Sequence, residues 1–264
     1  MPLFEDWLIP DWPAPAGVRA VCTTRAGGTS NAPYHSLNLG DHVGDDVGCV
    51  AANRARLHAA MGVRPVFLNQ VHGTEVIELD AHTPDATVAD ACLSSQTGVA
   101  CTIMVADCLP VLFTNTQGSM VAAAHAGWRG LAGQGGWGIL EQTYKRFSAL
   151  ALDHHAQGAT EIIAWLGPCI GPAAFEVGAE VHAAFTVHDA QAQACFTQLP
   201  GGKWLADLAG LARLRLRALG LTHIHGNDSS RTWCTVGNTS RFFSHRRDRV
   251  SGRFAVSIWR EGCG

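Results

Sequence analysis

The sequence predicts an α+β fold, a layered mixed β-sheet sandwich with helices on the outside, formed as a single domain over residues 1–264. Strand-like apolar stretches outnumber the helical ones. The helices do not alternate regularly with the strands, as they would in a doubly wound fold. No repeat, linker or low-complexity tract divides the chain. With 47% hydrophobic and 16% charged residues, the chain can bury a large core.

The individual elements follow from the spacing of apolar residues along the chain. Strands are predicted at residues 18–24, 65–70, 75–79, 99–105, 110–115, 119–125, 161–167 and 253–259. Apolar spacing near 3.6 predicts helices at residues 49–62, 137–150, 178–185 and 204–220. Gly62 and Gly220 are expected to end two of these helices, because glycine readily adopts the left-handed conformation that closes a helix.

The composition of the chain argues against nucleic-acid binding, membrane insertion and secretion. The net charge is -3, so we expect no binding to nucleic-acid polymers, which requires clustered Lys and Arg. One short basic cluster, residues 241–249, is expected to line a surface or a small anion site. No apolar run is long enough to span a membrane, and the acidic N-terminus is unlike a secretory signal. The nine cysteines form no CxxC pair and are expected to be reduced thiols, which favours a cytoplasmic location.

Three segments place metal-competent side chains beside turn residues. They are NQVHGTEV around His72, VADCLPVLF around Cys108 and VAAAHAGWRG around His125. The three lie too far apart in the chain for a zinc finger, whose ligands come in closely spaced pairs. A site assembled at strand ends is the alternative, with one coordination position left open. From spacing alone, each histidine is equally compatible with an ordinary core or surface residue.

The chemistry of this set matches a catalytic zinc pattern of two His and one Cys. Zinc lowers the pKa of its bound water towards roughly 7, which provides a nucleophile at neutral pH. Cys108 would bind as a thiolate. Asp107, next to it, is a candidate for orienting a ligand or transferring a proton.

The three segments, in this order, resemble the signature segments of the YfiH-like laccase-domain family, whose members are also labelled multicopper polyphenol oxidases. The resemblance continues through further motifs and covers nearly the whole chain. These motifs are TTRAGGTS (23–30), SLNLGDHVGDD (36–46), NRARL (53–57), GPCIGPAAFEVG (167–178), CT (234–235) and RFFSHRRD (241–248).

The resemblance implies a mixed α/β layered sandwich and a zinc ion held by His72, Cys108 and His125. It also implies phosphorolysis of purine nucleosides, namely adenosine, inosine, guanosine and methylthioadenosine, together with deamination of adenosine. The partners are then purine nucleosides and phosphate. In deamination, a zinc-activated water would attack C6 of adenine with Asp107 moving the proton, although the chain has neither HxE nor PCxxC of the cytidine deaminases.

Several residues suit the substrates of that chemistry. Catalytic roles are predicted for Cys108, Asp107 and Arg25. Arg25 is included because its planar guanidinium matches phosphate in a bidentate manner. Substrate or phosphate binding is predicted for Arg25, Asn38, Arg129, Cys169 and Arg246. Each has an alternative reading: Arg25 in a surface turn, Asn38 as a turn cap, Arg129 as a brace for the His125 loop, Cys169 as a packed thiol and Arg246 on a solvated face. His245 and Arg247 are candidates for the same anion-site wall.

The sequence is also compatible with three other functions. Copper-dependent phenol oxidation follows from the older family label, but multicopper sites need HxH pairs, and the only HxH is formed by His223 and His225. A hydrolase acting on cell-wall precursor peptides can use the same metal-activated water. A non-catalytic module with a structural zinc requires a fourth protein ligand, such as Cys22 or Cys101.

Overall fold

Two β-sheets form the centre of the protein, described by a computed structural model that covers residues 6–154 and 161–262, with the side chains of residues 152–154 left out. The strands are β1 (Val18–Cys22), β2 (Arg64–Phe67), β3 (Val76–Glu78), β4 (Ala91–Ser94), β5 (Val99–Val105), β6 (Leu109–Asn115), β7 (Val121–Ala126), β8 (Ile162–Leu166), β9 (Glu176–Val177), β10 (Phe196–Gln198), β11 (Trp204–Ala206), β12 (His223–Gly226) and β13 (Phe254–Arg260).

Both large sheets mix parallel and antiparallel pairs. The four-stranded sheet has the order β1-β13-β5-β2, in which only β2 and β5 are parallel. The six-stranded sheet has the order β12-β8-β6-β7-β4-β3, with parallel pairs at its two edges. A smaller antiparallel sheet, β10-β11-β9, lies apart from them.

The described residues contain six α-helices, and the three longest of them cover the outer faces of the two large sheets. The six helices are α1 (Val47–Met61), α2 (Trp128–Ala132), α3 (Ile139–His154), α4 (Ala179–Thr186), α5 (Leu208–Ala218) and α6 (His245–Asp248). Short 3-10 turns lie at Ala190–Cys195, Pro200–Gly202 and Arg231–Trp233. Helix α1 buries Leu57 and Met61 against the four-stranded sheet, and α3 and α5 pack on the six-stranded sheet.

Side-chain alternation along the central strands generates three apolar layers. On β5, Cys101 and Ile103 face the core between the sheets, whereas Ala100 and Met104 face α1. On β6, Leu112 faces the inter-sheet core and its neighbours face α3 and α5. Every residue of β5, β6 and β7 is buried, because both faces of these strands are covered.

The predicted layered sandwich with outer helices is therefore confirmed, whereas the single domain over residues 1–264 stays a prediction. Gly62 closes α1 with a φ of 70°, as predicted, and Asp46 begins that helix by accepting a hydrogen bond from the amide of Cys49. Gly220 follows α5 with a φ of 87°. The helix predicted over 204–220 is wrong at its start, because residues 204–206 pair as β11 and Asp207 caps a helix that begins at Leu208.

Two further sequence-based predictions concern membrane spans and the oxidation state of the cysteines. Along the described residues, no helix combines the length and apolar character needed to cross a membrane. The eight cysteines of the described residues are free thiols, and the ninth, Cys263, lies outside them. The cytoplasmic location stays a prediction.

Candidate active site

Three strand ends bring His72, Cys108 and His125 together. His125 lies on β7 opposite Pro110 of β6, and Cys108 immediately precedes β6, so strand pairing makes these two residues neighbours. His72 lies in the loop that follows β2 and adopts a φ of 61°. The Nε2 atom of His72 lies 3.6 Å from the Sγ atom of Cys108. One donor atom from each residue lies within 4.8 Å of the other two. The arrangement can hold one metal ion.

A buried carboxylate, Asp90, fixes two of these three residues. Its Oδ1 atom accepts hydrogen bonds from the His72 amide at 2.9 Å and from the His125 Nδ1 atom at 2.8 Å. Its Oδ2 atom accepts from the amides of Val71 and Gly73. Because Nδ1 of His125 is held by Asp90, its Nε2 atom is left for the site, an arrangement common around metal-bound histidines.

Two close backbone approaches in the HAGWRG segment depend on glycine. A Cβ atom added to Gly127 would lie 2.7 Å from Cδ2 of His72 and 3.0 Å from Sγ of Cys108. A Cβ atom added to Gly130 would lie 2.7 Å from the carbonyl oxygen of Gly73. The glycines of this segment therefore make room for the loop that carries His72.

In the metal-free chain, the thiol and imidazoles at this site shift each other's ionisation. Burial raises the pKa of the Cys108 thiol, but the charge and hydrogen bonding of His125, aided by His72, outweigh it and lower that pKa to about 6. Burial likewise opposes the charge on His125, but the Cys108 thiolate and Asp90 raise the His125 pKa to about 9. The site favours a thiolate at Cys108, the form that binds metal.

A cavity of about 440 Å³ opens beside the three residues. Its volume lies in the range of small-molecule sites, roughly 300–1,000 Å³. Its lining joins apolar surface, two aromatic rings and two guanidinium groups. The lining residues are His42, Gln70, His72, Met104, Val105, Ala106, Asp107, Cys108, His125, Trp128, Ile170, Phe175, Leu208, His245, Arg246 and Arg253.

Asp107 lines this cavity with both carboxylate oxygens already bonded. Oδ1 accepts a hydrogen bond from the Thr235 hydroxyl at 2.6 Å, and Oδ2 accepts one from the amide of Arg246 at 2.6 Å. The backbone of Asp107 has a φ of 93°, an uncommon conformation for a residue other than glycine. Asp107 thus holds the start of α6, which carries His245 and Arg246 into the lining.

Of the predicted substrate residues, Arg246 lines the cavity and the other four do not. The Arg25 guanidinium donates to the carbonyl oxygens of His35 and Thr239. Arg129 is exposed and stacks over the Trp128 ring. Asn38 is fully buried within a loop. The thiol of Cys169 is buried behind the wall, and burial together with the charge of Asp207 raises its pKa well above the usual value.

The basic cluster at residues 241–249 also contains some residues that line the cavity and others that do not. His245 and Arg246 line the cavity, whereas Arg247 turns away and donates to the carbonyl oxygens of Thr235, Val236 and Phe242. The cluster is therefore partly a cavity wall and partly a brace for the neighbouring loop.

Sequence reasoning missed Asp90, Arg253, His42 and Gln70. The Gln70 side chain pairs with both the amide and the carbonyl of Met104 on β5, which anchors the QVHG segment to the sheet. Its position two residues before His72 was a usable signal. Asp90 and Arg253 each directly precede a strand, and nothing local distinguishes them from other charged residues at strand ends.

Comparison with known proteins identifies the family of the chain. The sequence model of a protein family described as multi-copper polyphenol oxidoreductase laccase matches residues 19–261. The chain is 50% identical to a purine nucleoside phosphorylase of Pseudomonas aeruginosa and 48% identical to the purine nucleoside phosphorylase YfiH of Escherichia coli. Each of these alignments covers 96% of this chain and 98% of the relative.

Solved structures agree with the fold. A crystal structure of a Neisseria meningitidis protein matches with a TM-score of 0.86 and 42% identity, covering 98% of this chain and all of that chain. YlmD from Geobacillus stearothermophilus matches with a TM-score of 0.82 and 29% identity, covering 99% of this chain and 98% of that one. The chain therefore belongs to the multi-copper polyphenol oxidoreductase laccase family, together with the YfiH proteins it resembles along almost its whole length.

Proposed function

We propose that the chain is a zinc-dependent purine nucleoside phosphorylase that acts on adenosine, inosine, guanosine and methylthioadenosine. The observation that carries the proposal is the His72, Cys108 and His125 cluster, which faces a cavity containing both aromatic and guanidinium groups. Relatives that align over 96% of the chain bear the name purine nucleoside phosphorylase.

The donor set fits zinc. Two imidazole nitrogens and one thiolate, with no fourth protein ligand in the cluster found among the described residues, match a three-ligand catalytic zinc site. Such a zinc, when bound, acts as a Lewis acid or activates a water. The protein's own contribution is to hold the donors: Asp90 orients His72 and His125, and the thiolate form of Cys108 is favoured.

The cavity walls suit the two substrates of a phosphorolysis. The rings of Trp128 and Phe175 offer apolar surface for the purine, and Arg246 offers a guanidinium for an anion. In the reaction, a phosphate oxygen forms a bond to C1′ of the ribose while the bond from C1′ to the base nitrogen breaks. The base leaves with the electron pair and takes up a proton, so the products are the free base and ribose 1-phosphate.

Adenosine deamination as a second activity rests on the family resemblance. Asp107 is the candidate proton carrier, but each of its carboxylate oxygens accepts a hydrogen bond, from Thr235 and from the Arg246 amide. To transfer a proton, Asp107 has to exchange one of these bonds for a substrate or water contact.

Copper-dependent phenol oxidation is the second candidate, because the family description names it. It is less well supported by the donor groups of this chain. The HxH pair, His223 and His225, lies on edge strand β12, and His223 pairs with Glu161 instead of joining the cluster.

The test is to incubate metal-analysed protein with adenosine, with and without inorganic phosphate, and to separate the products by chromatography. Phosphorolysis predicts adenine and ribose 1-phosphate only when phosphate is present, whereas deamination predicts inosine in both samples. His72→Ala is expected to lose both bound zinc and turnover.

His223→Ala is the matched control, since this histidine is half exposed and lies outside the cluster; it should retain zinc and activity. Zinc-loaded protein that leaves adenosine, inosine and guanosine unchanged in phosphate contradicts the proposal. If the copper-loaded protein oxidises a phenol substrate, the result would favour the oxidase function over the phosphorylase function.

A further inference from the structure

Arg253 is the second guanidinium of the cavity, and sequence reasoning did not select it. The residue directly precedes β13, is half-buried and shares the cavity lining with Cys108 and Asp107. Its Nη1 atom donates to the carbonyl oxygens of Ser251 and Gly252 at 2.9 and 3.1 Å. These bonds use one end of the guanidinium and fix its plane.

The other edge of the Arg253 guanidinium is free. Neither Nε nor Nη2 has a hydrogen-bond partner within the described parts of the chain, and no carboxylate there forms an ion pair with Arg253. Neither atom is sealed inside the protein. The nearby Asp107 carboxylate is already bonded to Thr235 and to the Arg246 amide. The open planar edge of this guanidinium can therefore bind an anionic ligand in a bidentate manner.

The SLNLG segment holds this arginine in place. The buried Oδ1 atom of Asn38 accepts hydrogen bonds from the amide of Arg253 at 2.8 Å and from the amide of Gly40 at 2.9 Å. A Cβ atom added to Gly40 would lie only 2.8 Å from Cγ of Arg253, so the side-chain stem packs directly on the glycine backbone. These contacts make Asn38 a support for the backbone of Arg253, and its predicted role in substrate binding stays a prediction.

We propose that Arg253 binds the phosphate co-substrate through the Nε and Nη2 edge of its guanidinium, with Arg246 as a second contact. This inference rests on the proposed phosphorylase function. The edge formed by Nε and Nη2 presents two parallel N–H donors, which match two oxygens of one phosphate. Because Cys108 lines the same cavity, the phosphate lies beside the metal cluster.

The first experiment measures phosphate binding directly. Zinc-loaded wild type, Arg253→Lys and Arg253→Met are titrated with inorganic phosphate by calorimetry and by thermal shift. Both variants are expected to weaken phosphate binding by about 10- to 100-fold, the size expected for loss of a charged hydrogen-bonded contact. Lysine keeps the charge but loses the planar edge, so it should not restore wild-type affinity. Zinc content and circular dichroism should be unchanged.

Arg54→Lys is the matched control. Arg54 is also half-buried and braces the same segment, through the Leu39 carbonyl at 2.9 Å and Asp41 at 3.2 Å, but it does not line the cavity. It should bind phosphate like wild type. An equal loss in Arg54→Lys would show that loosening the segment alone is sufficient, and would overturn the role of Arg253.

Kinetics separate this inference from the proposed function. In the Arg253 variants, the KM for phosphate should rise while the KM for adenosine stays within about twofold, as expected when a contact to one substrate is removed. Wild type that binds phosphate through Arg253 but turns over no nucleoside would end the phosphorylase proposal and leave an anion site. Wild-type turnover with unchanged phosphate binding in folded Arg253→Met would end the inference alone. Absence of phosphate binding to wild type would end both.

Discussion

The metal-ligand end and the arginine end of the cavity differ in how their polar atoms are bonded. At the metal-ligand end, Asp90 bonds to His125 and to three consecutive backbone amides, so the donors are held before any metal arrives. At the arginine end, the Nε and Nη2 atoms of Arg253 have no partner among the described residues. The first end is organised by the protein itself, whereas the second is completed by its ligand. Substitutions at one end should therefore leave the other end intact.

The largest expected effect is on the reactivity of Cys108 when metal is removed. In the metal-free chain its pKa is about 6, so the thiolate dominates at pH 7, whereas the half-buried Cys195 has a pKa raised to about 11 by burial and stays a thiol. In chelator-treated protein, iodoacetamide should modify Cys108 at least about 100 times faster than Cys195. Added zinc should protect Cys108, with peptide mass spectrometry as the measurement. Equal rates at the two cysteines would contradict the assigned ionisation.

The second largest effect is expected for the zinc affinity of the Asp90→Asn variant. The amide keeps one acceptor oxygen where the carboxylate has two, so bonds to His125 or to the residue 71–73 amides are lost. Zinc affinity should fall by about 10- to 100-fold, as for other residues that support metal ligands. The absorption spectrum of the cobalt-substituted protein should change as well, while phosphate binding in zinc-saturated protein should not. Asp80→Asn, an exposed turn residue, is the control, and unchanged zinc affinity in Asp90→Asn would refute the positioning role.

Gly127→Ala tests the steric side of the metal-ligand end. The backbone φ of -68° at Gly127 suits alanine, so the expected effect comes from the contact of the new Cβ atom with His72 and Cys108. Overpacking of this kind costs about 1–3 kcal/mol, which corresponds to roughly tenfold weaker zinc binding or more. Chelator competition measures it. Gly17→Ala, where a Cβ atom meets nothing within 4 Å, should bind zinc normally. Normal zinc binding in both variants would contradict the expected steric effect, because it would show that His72 and Cys108 can shift without loss of zinc affinity.

The smallest effect is expected for Gly40→Ala at the arginine end. The added Cβ atom has to push the flexible stem of Arg253 out of its rotamer, at a cost of about 0.5–1.5 kcal/mol. Phosphate affinity should fall by roughly 2- to 10-fold, with zinc content unchanged. Calorimetry measures the phosphate affinity, and metal analysis measures the zinc content. A loss of zinc with normal phosphate affinity would show that Gly40 supports the metal-ligand end and not the arginine end.

The sequence by itself predicted the layered fold and singled out His72, Cys108 and His125, which the structure brings into one cluster that can hold a metal ion. Strands that are buried on both faces, such as β5 and β6, appear as continuous apolar runs, and α1 carries its own start and stop residues in Asp46 and Gly62. Turn residues beside each metal-competent side chain were a weak indication, and the three segments were recognisable as a set because, in this order, they resemble the signature segments of the YfiH-like laccase-domain family. Short strands such as β9 to β12 were not predicted, because pairing with distant segments, more than local pattern, defines them.

Only the tertiary structure decided which charged side chains face the cavity. Arg25, Arg129 and Arg246 were all predicted to bind substrate or phosphate, and Arg25 was also predicted to be catalytic. Of the three, Arg246 alone lines the cavity, because Asp107 fixes the start of α6. Arg253 and Asp90 were indistinguishable from other charged residues near strands. Their roles arise from contacts with Asn38 and His125, which are distant in the chain. The direction of a loop side chain depends on such long-range packing and hydrogen bonding, and residue type and spacing do not encode it locally.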